Sequence, residues 1–293
     1  MIAGGEYSTI NFSNNHRVKF SDNSVFAVTC CGGAIGGDDY CVIKLCDNGS
    51  VEFSGNKAGI GGAVAGYDST TIELHGNGSV LFDGNTANDA GGAICCTISM
   101  SDNGNVEFIE NAATSKGGAI CGYAVLSNND SVLFEGNTVS STLGDSAYGG
   151  AIYANNGLSI QNNHSVLFEQ NSISAHLAAQ GGAIYSLGSV NISSNAGLHF
   201  IGNYASSYYS QGGAIYAGGT LNVCHNDEVS FCGNYVSSDS SSSQRYEFGG
   251  GAIYAESSLS LTSNESLIFE ENFSLTTPNN RRHPEKECCA ALP

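Results

Sequence analysis

Four acidic side chains recur at one position of a repeated motif, so they are the first candidates for a catalytic site. A carboxylate follows the phenylalanine of a recurring Phe-x-x-Asn motif at Asp83, Glu135, Glu169 and Glu270. Two converging carboxylates can hydrolyse a glycoside, but such a site also needs groups that stabilise the developing charge. Only 9 of the 293 residues are Lys or Arg. We therefore interpret these carboxylates as a solvated stripe, with a weak cation site and catalysis as less favoured alternatives.

Histidines and paired acids give no metal-binding pattern. Four histidines lie at different distances before a motif phenylalanine, so stacked repeats would not align them: His75, His164, His199 and His225. Calcium needs several converging oxygen ligands, and only Asp38 and Asp39 remain as a weak candidate. We expect these histidines at the surface, and we predict no catalytic residue, no metal site and no cofactor.

Cysteine and tyrosine occupy one position of a second recurring motif, Gly-Gly-Ala-Ile. The residue after this motif is Cys95 and then Cys121 in consecutive copies. Stacked repeats would make these cysteines neighbours, at a separation that permits a disulfide without requiring one. Later copies carry tyrosine instead: Tyr153, Tyr185, Tyr216 and Tyr254. These rings would form a ladder, either a recognition strip facing outward or, as we favour, structural stacking.

Composition excludes several classes of function. The formal net charge is −18 and the pI is about 4.4, which argues against binding to nucleic acid or to an anionic membrane surface. No apolar run is long enough for a membrane-spanning helix, which needs about 18 residues. The first residues, MIAGGEYSTINF, lack the basic and apolar regions of a signal peptide. The 11 cysteines favour an oxidising compartment.

The two motifs alternate along the chain and define its architecture. Gly-Gly-Ala-Ile, with Val once in place of Ile, begins at Gly32, Gly61, Gly91, Gly117, Gly149, Gly181, Gly212 and Gly250. The motif phenylalanines that follow are Phe53, Phe82, Phe108, Phe134, Phe168, Phe200, Phe231 and Phe269. The distances from glycine to phenylalanine differ only by even numbers, which preserves the inward face of a β-strand. A period of about 30 residues is typical of a solenoid.

Each repeat predicts one coil of a parallel β-helix. In the copy that begins at residue 149, we expect short strands at 151–153, 158–160 and 166–168, separated by Gly and Asn clusters. The glycine pair forms a tight corner, Ala and Ile start a strand, Phe fills the core and Asn joins an amide ladder. The residues given these roles are Gly149, Gly150, Ala151, Ile152, Phe168, Asn171, Gly181, Gly182, Phe200 and Asn203.

Domain boundaries follow from where the repeat is present. We predict a β-helix array over 1–272, starting mid-coil without a cap, and an irregular or disordered tail over 273–293. This tail holds all 3 Pro. Between each Phe-x-x-Asn and the next glycine pair the length varies, giving polar segments at 138–148, 172–180, 204–211 and 235–248. Because loops on a rigid scaffold often carry recognition, we expect binding there, with Tyr208, Tyr209 and Tyr246 as candidates.

The tandem Gly-Gly-Ala-Ile and Phe-x-x-Asn motifs resemble the repeat of chlamydial polymorphic membrane proteins over about residues 1–272. The resemblance implies the passenger of an outer-membrane autotransporter, a surface-exposed right-handed β-helix that acts as an adhesin. Members of that family carry a signal peptide and a translocating barrel, and we expect neither in this sequence. The prediction is therefore an all-β chain, a single right-handed parallel β-helix of about 8–9 coils.

The function expected from this fold is non-catalytic surface interaction through the variable segments. The partner would be a host-cell protein or glycan, or other copies of the chain, at the bacterial cell surface or after secretion. A carbohydrate-active β-helix enzyme is the second hypothesis. A truncated structural fragment without independent function is the third.

Overall fold

The protein is an all-β, right-handed parallel β-helix of nine coils, as the sequence predicts. The computed structural model describes residues 1–25, 32–67, 69–141, 145–238 and 249–276. Strands from successive coils pair in parallel and in register, so Phe134 lies beside Phe108 on one side and Phe168 on the other. The chain therefore climbs one strand spacing, about 4.8 Å, with each coil.

Three sheets of nine strands form the rod. The first sheet follows the glycine pairs: Ile2–Gly4, Ile35–Gly37, Val64–Gly66, Ile94–Cys95, Ile120–Cys121, Ile152–Ala154, Ile184–Ser186, Ile215–Ala217 and Ile253–Ala255. The second sheet contains Thr9–Ser13, Val42–Cys46, Thr71–His75, Thr97–Ser101, Ala124–Ser127, Leu158–Gln161, Val190–Ser193, Thr220–Cys224 and Ser258–Thr262. The third contains Arg17–Ser21, Ser50–Ser54, Ser79–Asp83, Asn105–Ile109, Ser131–Glu135, Ser165–Glu169, Gly197–Ile201, Glu228–Cys232 and Ser266–Glu270.

Two further sheets, which we call the wall, follow the Phe-x-x-Asn corners. The fourth sheet has eight strands: Lys57–Ala58, Thr86–Ala87, Ala112–Ala113, Thr138–Ser140, Ser172–Ser174, Tyr204–Ser207, Tyr235–Ser238 and Phe273–Thr276. The fifth sheet has three: Ala147–Tyr148, Ala178–Gln180 and Tyr209–Gln211. The segments predicted as loops thus contain paired strands in their described parts.

A column of stacked phenylalanine rings runs through the rod. Alternate residues of each third-sheet strand point inward, and the motif phenylalanine is fully buried from Phe53 to Phe231. Successive rings along these coils lie 4.8 to 4.9 Å apart and nearly parallel. Ile, Leu and Val from the first two sheets complete this core. The even spacing seen in the sequence is what keeps every ring in the column.

Asparagine closes two corners of each coil, in two separate ladders. In the predicted ladder, the main-chain N–H and Nδ2 of Asn137 both donate to Oδ1 of Asn171, at 3.1 and 2.9 Å. Nδ2 of Asn137 also donates to the carbonyl of Phe108 at 2.8 Å. The second ladder, which the sequence interpretation missed, runs through Asn15, Asn48, Asn77, Asn103, Asn129, Asn163, Asn195, Asn226 and Asn264.

The glycine pair is required by the geometry of its corner. Gly149 has a φ of 65°, and a Cβ there would lie 2.1 Å from the carbonyl oxygen of Ile152. A Cβ on Gly150 would lie 1.9 Å from the carbonyl oxygen of Gly182 on the next coil. Both positions therefore exclude any side chain, which explains why the pair is repeated unchanged.

The array extends beyond the predicted boundary at residue 272. Phe273–Thr276 pairs with Tyr235–Ser238, and the ring of Phe273 stacks on that of Tyr235 at 5.0 Å. Phe273 thus adds one more aromatic ring and one more strand to the fourth sheet. The rest of the predicted tail, 277–293, lies outside the described residues.

Candidate interaction surface

The wall has a hydrophobic core of its own, separate from that of the rod. Eight small or β-branched side chains form it: Ala87, Ala113, Val139, Ala147, Ile173, Ala179, Ala205 and Val236. They are buried because single apolar residues alternate with polar ones on the short strands of the fourth and fifth sheets. The variable segments are therefore anchored to the rod, at least in the parts that the structure describes.

Tyrosine and serine side chains lie on the outer face of the later wall strands. The rings of Tyr204 and Tyr235 stack at 5.0 Å, and those of Tyr208 and Tyr209 meet edge to face at 4.6 Å. Leu177, at the turn between two wall strands, is 47% exposed. This face thus combines half-buried aromatic rings with an exposed leucine. The predicted candidate Tyr246 lies outside the described residues.

The tyrosine ladder on the first sheet is largely covered. Tyr153, Tyr185 and Tyr216 stack with ring centroids 5.3 and 4.8 Å apart and are 9%, 7% and 3% exposed. Tyr148 of the wall packs against the first two rings. The ladder lies on the outer side of the first sheet. Its rings are nevertheless packed against one another and covered, as expected for structural stacking rather than for a recognition strip. Only Tyr254, at the end of the row, is partly exposed.

In the described part of the chain, charged side chains contact this ladder at Tyr153 and at Tyr216. The Lys116 ammonium lies over the ring of Tyr153, 5.2 Å from its centroid. The hydroxyl of Tyr216 donates to the carboxylate of Glu256. Burial, together with that hydrogen bond, raises the pKa of Tyr216 above its ordinary value. The Tyr216 hydroxyl therefore stays neutral across the physiological range.

Cys95 and Cys121 are in-register neighbours, as predicted, and both are free thiols in this structure. The proximity of the two thiols raises the pKa of Cys95 and lowers that of Cys121. Cys96 is the adjacent residue in the chain, and burial raises the pKa of its thiol well above the ordinary value.

The acidic stripe is discontinuous along the rod. Glu135 and Glu169 are in-register neighbours, whereas Ile109 and Ile201 occupy the positions on either side. Burial, and then the neighbouring Glu135 charge, raises the pKa of Glu169. Within the described parts of the chain, no group of three or more His, Cys, Asp or Glu side chains is placed to hold a metal ion.

The prediction that the histidines lie at the surface is wrong for His199. This ring is 5% exposed, and its Nδ1 lies 2.8 Å from Oγ of Ser230 on the next coil. Gly197, two residues earlier on the same strand, has no side chain, and a Cβ there would contact the imidazole at 3.2 Å. The missing side chain lets the ring lie flat on the sheet, which lowers its pKa by burial.

A row of exposed tyrosines marks the corner between the first and second sheets, and the sequence interpretation missed it. Tyr7 and Tyr40 stack at 5.0 Å and are 71% and 51% exposed. Tyr67 and Tyr123 on later coils are 45% and 36% exposed. The signal was a tyrosine shortly after a glycine, at the end of the first-sheet strand in these four coils.

Comparison with known proteins identifies the repeat. Four consecutive segments match the model of the Chlamydia polymorphic membrane protein repeat: residues 79–97, 105–123, 131–155 and 157–187. No curated protein and no solved structure was found to match the chain. No helix in the described parts is long and apolar enough to cross a membrane. The resemblance seen in the sequence is confirmed within residues 79–187, where these four segments are similar to the Chlamydia polymorphic membrane protein repeat.

Proposed function

We propose that this chain is an adhesin-like passenger that binds a host-cell protein or glycan through the outer face of the wall. The observation that carries the proposal is the ordered row of wall strands that presents Leu177, Tyr208 and Tyr209 at one surface. Tyrosine suits this role because its rigid ring gives contact area at low entropic cost, with a hydroxyl for hydrogen bonding.

The repeated motif residues of the rod are poor candidates for recognition because their side chains already have structural partners. The motif phenylalanines fill the core, and both amide ladders use their polar atoms on neighbouring coils. The wall strands vary in length and sequence while their small core residues remain buried. Such a region can change its surface without disturbing the fold that supports it.

Cell attachment tests the proposal. The complete chain is immobilised on beads and exposed to cultured epithelial cells, beside a variant with Leu177→Ser, Tyr208→Ser and Tyr209→Ser. The matched control carries Tyr7→Ser and Tyr40→Ser, which removes a more exposed aromatic pair from another corner of the rod. Circular dichroism must show the same β content in all three proteins.

We expect attachment of the wall variant to fall about tenfold or more, because loss of central aromatic contacts typically costs about 2 kcal/mol each. The control variant should attach like the unchanged protein. Equal attachment by all three proteins would exclude the wall as the binding surface. If the chain instead binds its own copies, sedimentation velocity will show assemblies that the wall variant no longer forms.

A further inference from the structure

A notch interrupts the corner between the first and second sheets at the fourth coil. On that coil only Cys96 separates Ile94–Cys95 from Thr97–Ser101, whereas the previous coil spans the same corner with residues 67–70. The missing turn leaves a cavity of about 480 Å³. Tyr67 borders it on one side and Tyr123 on the other, and Cys95, Cys96 and Cys121 line it.

The sulfur atoms of Cys95 and Cys121 are within reach of each other and of the notch. Their residues are paired in register on adjacent strands, which lie about 4.8 Å apart. A disulfide requires Cα atoms about 4.4 to 6.8 Å apart, so the two cysteines could be bridged with little movement of the backbone. Both side chains are half-buried and remain accessible from the cavity.

The two thiols differ in reactivity because of their surroundings. The neighbouring Cys95 thiol and the positive charge of Lys116 both favour a thiolate on Cys121, so the pKa of Cys121 is lowered despite its burial. The nearby carboxylate of Asp89 acts in the opposite direction. The pKa of Cys95 is raised, which keeps this cysteine protonated until its partner has reacted. A thiolate beside a thiol is the arrangement that disulfide exchange requires.

We propose that this notch is a thiol–disulfide exchange site for a low-molecular-weight peptide disulfide, with oxidised glutathione as the probe. The Cys121 thiolate attacks one sulfur of the disulfide, forms a mixed disulfide and releases one glutathione thiolate. Cys95 then loses its proton to solvent and attacks the sulfur of Cys121, which releases the second glutathione thiolate. Two protein thiols are oxidised, one glutathione disulfide is reduced, and the product is a covalent link between the fourth and fifth coils.

The shape and lining of the notch fit such a ligand. The polar side chains of Asn155 and Asn156 line the same cavity as the thiols and provide hydrogen-bonding groups for a peptide. The cavity volume of about 480 Å³ suits a small disulfide better than a folded protein. This proposal does not depend on binding through the wall.

The test is oxidation of the fully reduced, complete chain by glutathione disulfide, followed by alkylation and peptide mass mapping. In the unchanged protein, we expect a Cys95–Cys121 disulfide to form at least about tenfold faster than glutathione adds to Cys46, a half-buried thiol whose pKa is raised. Cys95→Ser should stop at a glutathione adduct on Cys121. Cys121→Ser should slow the reaction at Cys95 by about tenfold or more.

Cys96→Ser is the matched control, because this thiol lines the same notch but should not take part. Its rate should equal that of the unchanged protein. The proposal is overturned if Cys95 and Cys121 oxidise no faster than Cys46 within the unchanged protein, a comparison that needs no variant to fold. It is also overturned if Cys95→Ser leaves Cys121 unmodified.

Discussion

The rod and the wall are built from different side chains, and the difference separates stability from variation. In the rod, large residues such as Phe134 and Phe168 occupy the same position on every coil. In the wall, the apolar core residues are alanine, valine and isoleucine, on strands of two to four residues. Large side chains fix the register tightly because a displaced ring leaves a cavity. Small buried side chains tolerate changes in the length and sequence of the segments between them.

The largest expected effect comes from breaking the phenylalanine column. Phe134 is fully buried between Phe108 and Phe168, with ring centroids 4.8 Å apart on each side. Phe134→Ala should lower the free energy of unfolding by about 3–5 kcal/mol, through lost burial and the cavity that remains. Urea unfolding followed by circular dichroism measures this loss. A loss under about 1 kcal/mol would show that the rod does not depend on the column.

The amide ladders should give the next largest effect. Asn137→Ala removes the partner of Asn111 and leaves the carbonyl of Phe108 without its side-chain donor. Each buried polar group left unsatisfied costs about 1–3 kcal/mol, so we expect a total near 3 kcal/mol. Asn129→Ala in the second ladder should cost about the same. A much smaller loss for Asn129→Ala would mean that only the predicted ladder fastens the coils.

Substitution in the wall core should have a smaller effect on unfolding. Val139→Ala removes the equivalent of two buried methylene groups, at about 0.8 kcal/mol each, for a total of roughly 1.5–2 kcal/mol. The same urea experiment compares this variant with Phe134→Ala. If Val139→Ala destabilises the protein as much as Phe134→Ala, the wall is part of one cooperative core, and the distinction between the two regions fails.

The smallest expected effect is on how the free energy of unfolding depends on pH, through His199 on the outer face of the rod. Burial holds the pKa of His199 below its ordinary value, so the neutral ring stabilises the fold. That contribution is fully present above the pKa of the unfolded chain, about 6.5, and is lost as the pH falls through the lower folded pKa. Unfolding at pH 8 and pH 5 should therefore show a larger acid loss in the unchanged protein than in His199→Gln. Identical losses in the two proteins would contradict this role.

The sequence alone was sufficient to predict the rod, because the spacing of its motifs keeps the same side chains facing inward on every coil. Even spacings placed Phe168 in the core, and the fixed position of Asn171 indicated a ladder. The second ladder could have been found in the same way, since Asn163 precedes Asn171 by the same interval as Asn129 precedes Asn137. It was missed because its asparagines follow no constant aromatic residue.

The wall was harder to predict because its strands are short and rich in serine. Val139 and Ala147 are single apolar residues in polar segments, and their burial depends on equivalent residues of neighbouring coils. The covering of the tyrosine ladder was also hidden, because Tyr148 belongs to a variable segment and contacts rings on two coils. Contacts between coils of unequal length cannot be derived from one repeat.

Hydrogen exchange of the complete native chain tests the distinction between rod and wall most directly. Amides of the third-sheet strand Ser131–Glu135 should exchange at least about tenfold more slowly than those of the wall strand Ala178–Gln180, because fewer and smaller buried side chains hold the wall. That result would support a stable rod carrying a more adaptable binding surface. Equal protection in the two strands would contradict the account and make rod and wall a single structural unit.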